Sequence, residues 1–337
     1  MRVVLAALVA LFVATPAFAQ FTIPGADTAL SFSLSPRYPL PNQSVQISLQ
    51  SFLYDLDASS IIWSEDGKII AQGDGVKSVT IQAGALGSAH VIEADVNGAS
   101  GQASAQITIA PASVDLLWEA DSYVPPFYKG RALPSAGGTV RIAAIPHLIR
   151  SNGTAISPAD IVFTWKKDGQ LLEDISGRGK ASAVVDGPTL FGSEAITVDA
   201  VSADGSLQAE SILRLSDTKP RINLYENHPL FGILFGQALG SSTFIPDNEM
   251  TFAAVPYFAP VTSTSDRNLE YAWTVNGQPV ATDSDHAEEL TVNAASSTGV
   301  ALLSLSLTHA SNFFFGVDGS WQVTLNSRTS TPFNPFQ

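Results

Sequence analysis

Cysteine is absent from all 337 residues. Disulfides, thiolate zinc sites, iron–sulfur clusters, cysteine nucleophiles and a lipid carried on an N-terminal cysteine are therefore excluded. Charge is scarce as well. Charged residues make up 14% of the chain against 45% hydrophobic ones, the balance of a core-forming globular protein rather than a disordered one. Basic residues are the scarcer sign, 17 against 31 acidic, for a net charge of −14. That leaves no basic footprint for nucleic acid or for an anionic membrane surface. Beyond the first residues, no run is apolar enough to span a bilayer, so no integral membrane segment is expected in the mature chain.

The first residues carry an address. Arg2 supplies a short positive region, Val3 to Val13 an apolar stretch, and Ala17-Phe18-Ala19 a small-residue cleavage pattern. A cleaved signal peptide over 1–19 is expected, placing a bacterial protein in the periplasm, at the cell surface or in the medium. An N-terminal arm (20–27) follows it, and a Pro/Phe tail (327–337) ends the sequence.

Three segments then align around a tryptophan: Ile61-Ile62-Trp63, Phe163-Thr164-Trp165 and Tyr271-Ala272-Trp273. Each is followed, three and four residues after the indole, by Asp66-Gly67, Asp168-Gly169 or Asn276-Gly277. Those dipeptides accept positive φ at both central positions of a type I′ turn, whose twist matches paired strands. Each copy reads as a hairpin with its tryptophan on the first strand. The copies recur about every hundred residues, the size of one β-sandwich domain.

The flanks keep this register. Alternating strands at 45–52, 140–145 and 250–255 precede the hairpins. After each hairpin come a strand, a small-residue loop ending in Gly87, Gly192 or Gly299, and further strands. Pro146 and Pro256 recur after Ala-Ala-Ile and Ala-Ala-Val, and a proline there must end a strand or sit at an edge or bulge. No sustained helical period appears in this region. The fold class is all-β: three tandem Greek-key sandwiches, at 28–111, 113–216 and 219–326. The linkers, 110–113 and 216–220, are short and contain proline, which predicts restricted joints. Each is followed by a matching apolar opening, Leu117 to Leu133 and Leu224 to Leu239, expected to pack against the preceding domain.

Tandem secreted copies of aromatic/aliphatic-x-Trp-x-x-Asp/Asn-Gly resemble the immunoglobulin-like and PKD-like repeats of bacterial surface proteins. The Trp-Asp-Phe-Gly-Asp-Gly segment usual in PKD repeats is absent. The chain as a whole resembles uncharacterised multi-domain secreted proteins of small-genome bacteria, some associated with surface pili. The resemblance implies a sandwich fold and structural or adhesive work.

Little in the sequence points to catalysis. His90, His147, His228, His286 and His309 are scattered without metal-ligand spacing, and no nucleophile elbow or phosphate-binding loop is present. No enzyme activity and no cofactor are expected. Asp55 with Asp57, Asp283 and Asp285 with Glu288 and Glu289, and Asp247 with Glu249 are weak calcium candidates, each loop offering two or three of the six to eight oxygens a hard cation takes. Trp63, Trp165 and Trp273, alike in every copy, read as structural core. Trp118, Tyr123, Phe127, Tyr128, Tyr225, Phe231 and Phe235 form an aromatic set suited to an interdomain joint or a ligand surface. The expected role is a non-enzymatic scaffold, spacer or adhesive component of the cell envelope, associated with an appendage such as a pilus. A carbohydrate- or cell-wall-binding module using exposed aromatics is the alternative. The expected partner is a protein or another envelope component, with self-association as a further route.

Overall fold

A computed structural model describes residues 30–245, 249–294 and 297–325. The signal peptide, the N-terminal arm, the first two residues of the first domain, the calcium candidate Asp247, the last residue of the third domain and the Pro/Phe tail lie outside these residues. By packing, the chain divides into two compact units. The described part of the first comprises 30–37, 44–82 and 90–109, and that of the second 38–43, 83–89 and 110–325.

The first unit is built of β1 (Leu30–Ser35), β2 (Ser44–Ser51), β3 (Ser60–Glu65), β4 (Lys68–Asp74), β5 (Ser78–Gln82), β6 (His90–Gly98) and β7 (Gly101–Ile109). Strand order is β1-β2-β5 in one sheet and β4-β3-β6-β7 in the other. Every second residue of β2 and β6 is buried, which is the period a half-solvated strand imposes. Val45, Ile47, Ile61, Trp63 and Ile92 are fully enclosed, and the Phe32 and Trp63 rings meet across the sheets at 5.9 Å.

The second unit repeats this plan twice. Its first set is β8 (Ser113–Ala120), β9 (Thr139–His147), β10 (Ile161–Lys167), β11 (Gln170–Leu171), β12 (Gly177–Arg178), β13 (Ser182–Asp186), β14 (Ser193–Ser202) and β15 (Gln208–Ser216). These give sheets β13-β9-β8 and β11-β10-β14-β15, with β12 beside β10. Its second set is β16 (Arg221–His228), β17 (Gly232–Ile233), β18 (Ser242–Phe244), β19 (Glu249–Tyr257), β20 (Leu269–Val275), β21 (Gln278–Pro279), β22 (Glu289–Asn293), β23 (Gly299–His309) and β24 (Gly316–Leu325). Here the sheets are β17-β16-β19-β22 and β18-β24-β23-β20-β21. One core joins Val140, Ile142 and Val185 to Phe163, Trp165 and Val198. Another joins Leu224, Phe252 and Leu290 to Trp273, Leu305 and Val323. The fold is therefore all-β, with sheets paired face to face as sandwiches.

The two prolines sit inside strands rather than after them. Pro146 pairs only with Val114, and Pro256 only with Ile222, because β13 and β22 stop short at Ala143 and Ala253. Each proline thus lies where its strand has one neighbour, and no ladder partner asks for the missing N–H. Helix is confined to two single turns, Pro158–Asp160 and Glu173–Ile175, among the described residues.

Candidate functional site

The turn residues of the three hairpins all have positive φ, 50° and 80° at Asp66 and Gly67, 49° and 81° at Asp168 and Gly169, 50° and 78° at Asn276 and Gly277. Trp63 and Trp165 are completely buried and Trp273 is 2% exposed. These nine residues organise cores and turns.

The aromatic set is distributed differently. Tyr123, Tyr128, Tyr225 and Phe235 converge in one apolar cluster with Val255, Tyr257 and Phe258. Tyr128 stands edge-on to Tyr257 and to Phe258 at 5.7 and 6.0 Å, and Tyr225 lies 5.5 Å from Phe235. The Tyr225 and Tyr257 hydroxyls share a buried hydrogen bond of 2.6 Å. Burial, followed by this bond, pushes the Tyr257 phenol up to about 12. Tyr123 is also raised, first by burial and then by the nearby Glu288 charge. Backbone completes the seam: Tyr123 N–H donates to Ala259 at 2.8 Å, and Phe258 N–H donates back to Tyr123 at 2.8 Å. Gly130 is required here, since a Cβ would lie 2.7 Å from the Tyr128 ring.

The direction of this packing corrects the expectation for the first opening. Its residues 123–133 lie against β16 and β19 of the following sandwich. The cause is the run of β8, which starts at one linker and delivers the chain to the other. There Thr218 N–H donates to Pro134 at 2.9 Å, and Ala136 N–H donates to the Asp217 carboxylate at 2.9 Å. Asn312 Nδ2, from the β23–β24 loop, donates to Ala136 at 2.9 Å and closes the joint.

The remaining aromatics stay outside the seam. Trp118 is half-buried on β8 with the Arg131 guanidinium 4.2 Å over its ring. Phe127 is 92% exposed and Phe231 76% exposed, the latter stacked on His228 at 4.8 Å. Phe127 faces a groove of about 700 Å³ shared with Glu226, Ile233, Leu234, Phe235 and Leu239. Phe127 also holds φ at 65°, at the third position of a turn closed by Tyr128 N–H to Pro125. A glycine is the usual choice there. Sequence reading placed Phe127 in the right segment, but no pattern marks its backbone.

The acidic candidates are not gathered. Asp55 accepts from Asp57 N–H, and Asp57 pairs with Lys77 at 2.8 Å. Asp283 accepts from Asp285 N–H in a turn. Two mixed clusters occur instead among the described residues, Glu65–Asp66–His90 and His286–Glu288–Glu289. In the first, His90 Nδ1 already pairs with Asp66 at 3.1 Å and Glu65 at 3.3 Å.

No family model matches the chain, and no curated protein matches it. Among solved structures it is similar to fibronectin(III)-like modules of Clostridium thermocellum CbhA, at 16% identity and TM-score 0.22, over 63% of this chain and 96% of that one. It is similar to the central fibronectin-III array of RIM-binding protein, at 13% identity and TM-score 0.28, over 88% and 96%. Three N-terminal domains of the highly immunogenic outer capsid protein of bacteriophage RB49 align at 12% identity and TM-score 0.23, over 88% and 98%. Superpositions at this level decide nothing about function, and the sandwich assignment stands on strand order and shared cores.

Proposed function

We propose that the chain is a non-enzymatic structural or adhesive protein of the bacterial cell envelope, exported by its N-terminal segment and working as a spacer or scaffold. The observation that carries this reading is the seam. A joint made of buried aromatic rings, reciprocal backbone bonds and a side-chain clasp transmits load between two sandwiches, and a flexible tether does not. Scanning calorimetry of the mature chain tests it. The two sandwiches of the second unit should melt in one transition, and Tyr123→Ala should split that transition or lower it by several degrees. Two independent transitions in the unaltered protein would defeat the spacer reading.

A second reading has its own support in Phe127. A large exposed aromatic held in the left-handed region gains nothing from burial, and strain of this kind gathers at binding surfaces. The partner chemistry would be a polysaccharide of the cell wall, stacked on Phe127 at the mouth of the groove. Phe127→Gly should leave stability unchanged or raise it by at most about 1 kcal/mol, because the left-handed penalty disappears. The same change should abolish pull-down on purified cell wall. Equal wall binding by both proteins removes this reading.

A further inference from the structure

We propose that the groove beside Phe127 is the docking site of the chain's own Pro/Phe tail, residues 326–337. The groove measures about 700 Å³, a size that holds a ligand of a few residues. Its lining is apolar, with Leu234, Phe235 and Leu239 beside Phe127, and the turn before Ile233 exposes Leu230 and Phe231 as well. Phe127 is held out of its own sandwich at a backbone cost, with φ at 65°. Exposed apolar surface of this kind, contiguous and concave, marks a place where another segment sits.

The tail has the matching chemistry. Pro332-Phe333-Asn334-Pro335-Phe336 repeats a proline and a phenylalanine at every third residue. Three residues is the period of the polyproline II helix, so in that conformation both phenyl rings share one face, about 9 Å apart. Thr331 and Asn334 each precede a proline and are restricted toward the same extended conformation. Aromatic-lined grooves take such PxxP segments because little ordering entropy is lost on docking. Charge agrees. The tail's one ionisable side chain is Arg328, and the one charged side chain on the groove lining among the described residues is Glu226.

Reach selects the same chain over a second copy. β24 ends at Leu325, and its Gln322 N–H donates to Ser241 at 2.8 Å, two residues past Leu239. Leu239 is therefore no more than about 22 Å from Leu325. Pro332 lies seven residues beyond Leu325, a reach of up to about 24 Å. At the millimolar effective concentration a short link supplies, a segment of about 100 µM Kd is held roughly nine-tenths of the time.

The test uses the mature full chain, whose lack of cysteine lets a single pair be placed. Gln337→Cys is combined with Gln237→Cys in the groove, or with Val300→Cys, which is exposed and lies opposite Thr324 at the base of the tail. A short bismaleimide should join the groove pair within one chain about tenfold faster than the Val300 pair. An undocked tail would reach Val300 at least as readily. Phe333→Ser with Phe336→Ser, beyond the last strand, should erase the preference. Excess synthetic peptide 326–337 should suppress it, and the same peptide with both serines should not. Equal rates for the two pairs, a preference that survives the serine changes, or products that are dimers overturn the docking. The polysaccharide reading is a separate matter, since wall binding can fail with this result intact.

Discussion

Each core indole does two things at once. Trp63, Trp165 and Trp273 fill their sandwiches, and their Nε1 atoms donate to the carbonyls of Val76, Lys180 and Ala287 at 2.7, 2.9 and 3.0 Å. The acceptors lie 13, 15 and 14 residues downstream, on the segment leading to the opposite sheet. The indole therefore ties the hairpin to the chain that crosses between sheets. Trp165→Ala should destabilise the protein by about 3–5 kcal/mol through the cavity it leaves. Trp165→Phe keeps most of the ring but orphans the Lys180 carbonyl, and should cost about 1–3 kcal/mol. Chemical denaturation of both variants checks the order, and a Trp165→Phe variant as stable as the parent would mean the bond contributes nothing. The seam has a residue-scale signature of its own. A phenol whose folded-state pKa is raised stabilises fully below its unfolded value near 10, and loses that stability as pH climbs toward about 12. The melting temperature should therefore fall across pH 10–12, and less steeply in Tyr257→Phe. Identical slopes would remove Tyr257 from the alkaline transition.

At the scale of the hairpin, the turn residue proves to be a clamp as well as a turn former. Asp66, Asp168 and Asn276 accept through a side-chain oxygen from Val91, Ala195 and Leu302 N–H at 2.9, 2.8 and 2.9 Å. Their own N–H groups donate back to the same three residues. Each turn is thereby pinned to the strand that follows the crossover. Asp168→Ala should cost about 1 kcal/mol by removing one acceptor, as a lost cap does. Asp168→Asn should be close to neutral, because the third copy already uses asparagine. A loss for asparagine as large as for alanine would contradict the clamp.

This element also shows what was legible in the sequence. The Trp-x-x-Asp/Asn-Gly spacing exposes the turn, the indole's strand and the hairpin, since all three are local. Period-two burial likewise marks which face of 45–52 turns inward, whereas β19 is buried on both faces from Phe252 on, which its alternating sequence does not announce. The clamp partner, some 25 residues away, leaves no local trace, and neither does the continuation of β19 through Pro256. That strand survives its proline only because β22 ends early. Among the candidate site residues, Tyr123, Tyr128, Tyr225 and Phe235 were recognisable as an apolar group but not as neighbours. Their meeting depends on where β8 delivers the chain, and that is set by strand direction rather than by composition. Glu288 was readable as an acidic candidate beside Asp283 and Asp285, but nothing in Ala-Glu-Glu-Leu distinguishes a buried residue from a solvated one.

For the molecule as a whole, the repeat and the packing divide the chain differently. Three Trp hairpins mark three similar stretches of sequence, whereas compactness gathers 110–325 into one unit. The difference lies in the 121–134 segment, which leaves its own sandwich to pair with the next. One further feature of that unit bears on how it would respond to tension. β18 runs parallel to β24, with Ser242, Thr243 and Phe244 opposite Gln322, Val323 and Thr324. Pulling β24 from its C-terminal end while the chain before β18 is held moves the two strands past each other lengthwise. Their bonds must then break together, in shear, instead of opening one after another like a zip. A three-residue strand thus becomes a mechanical latch, strongest along the line that joins those two ends.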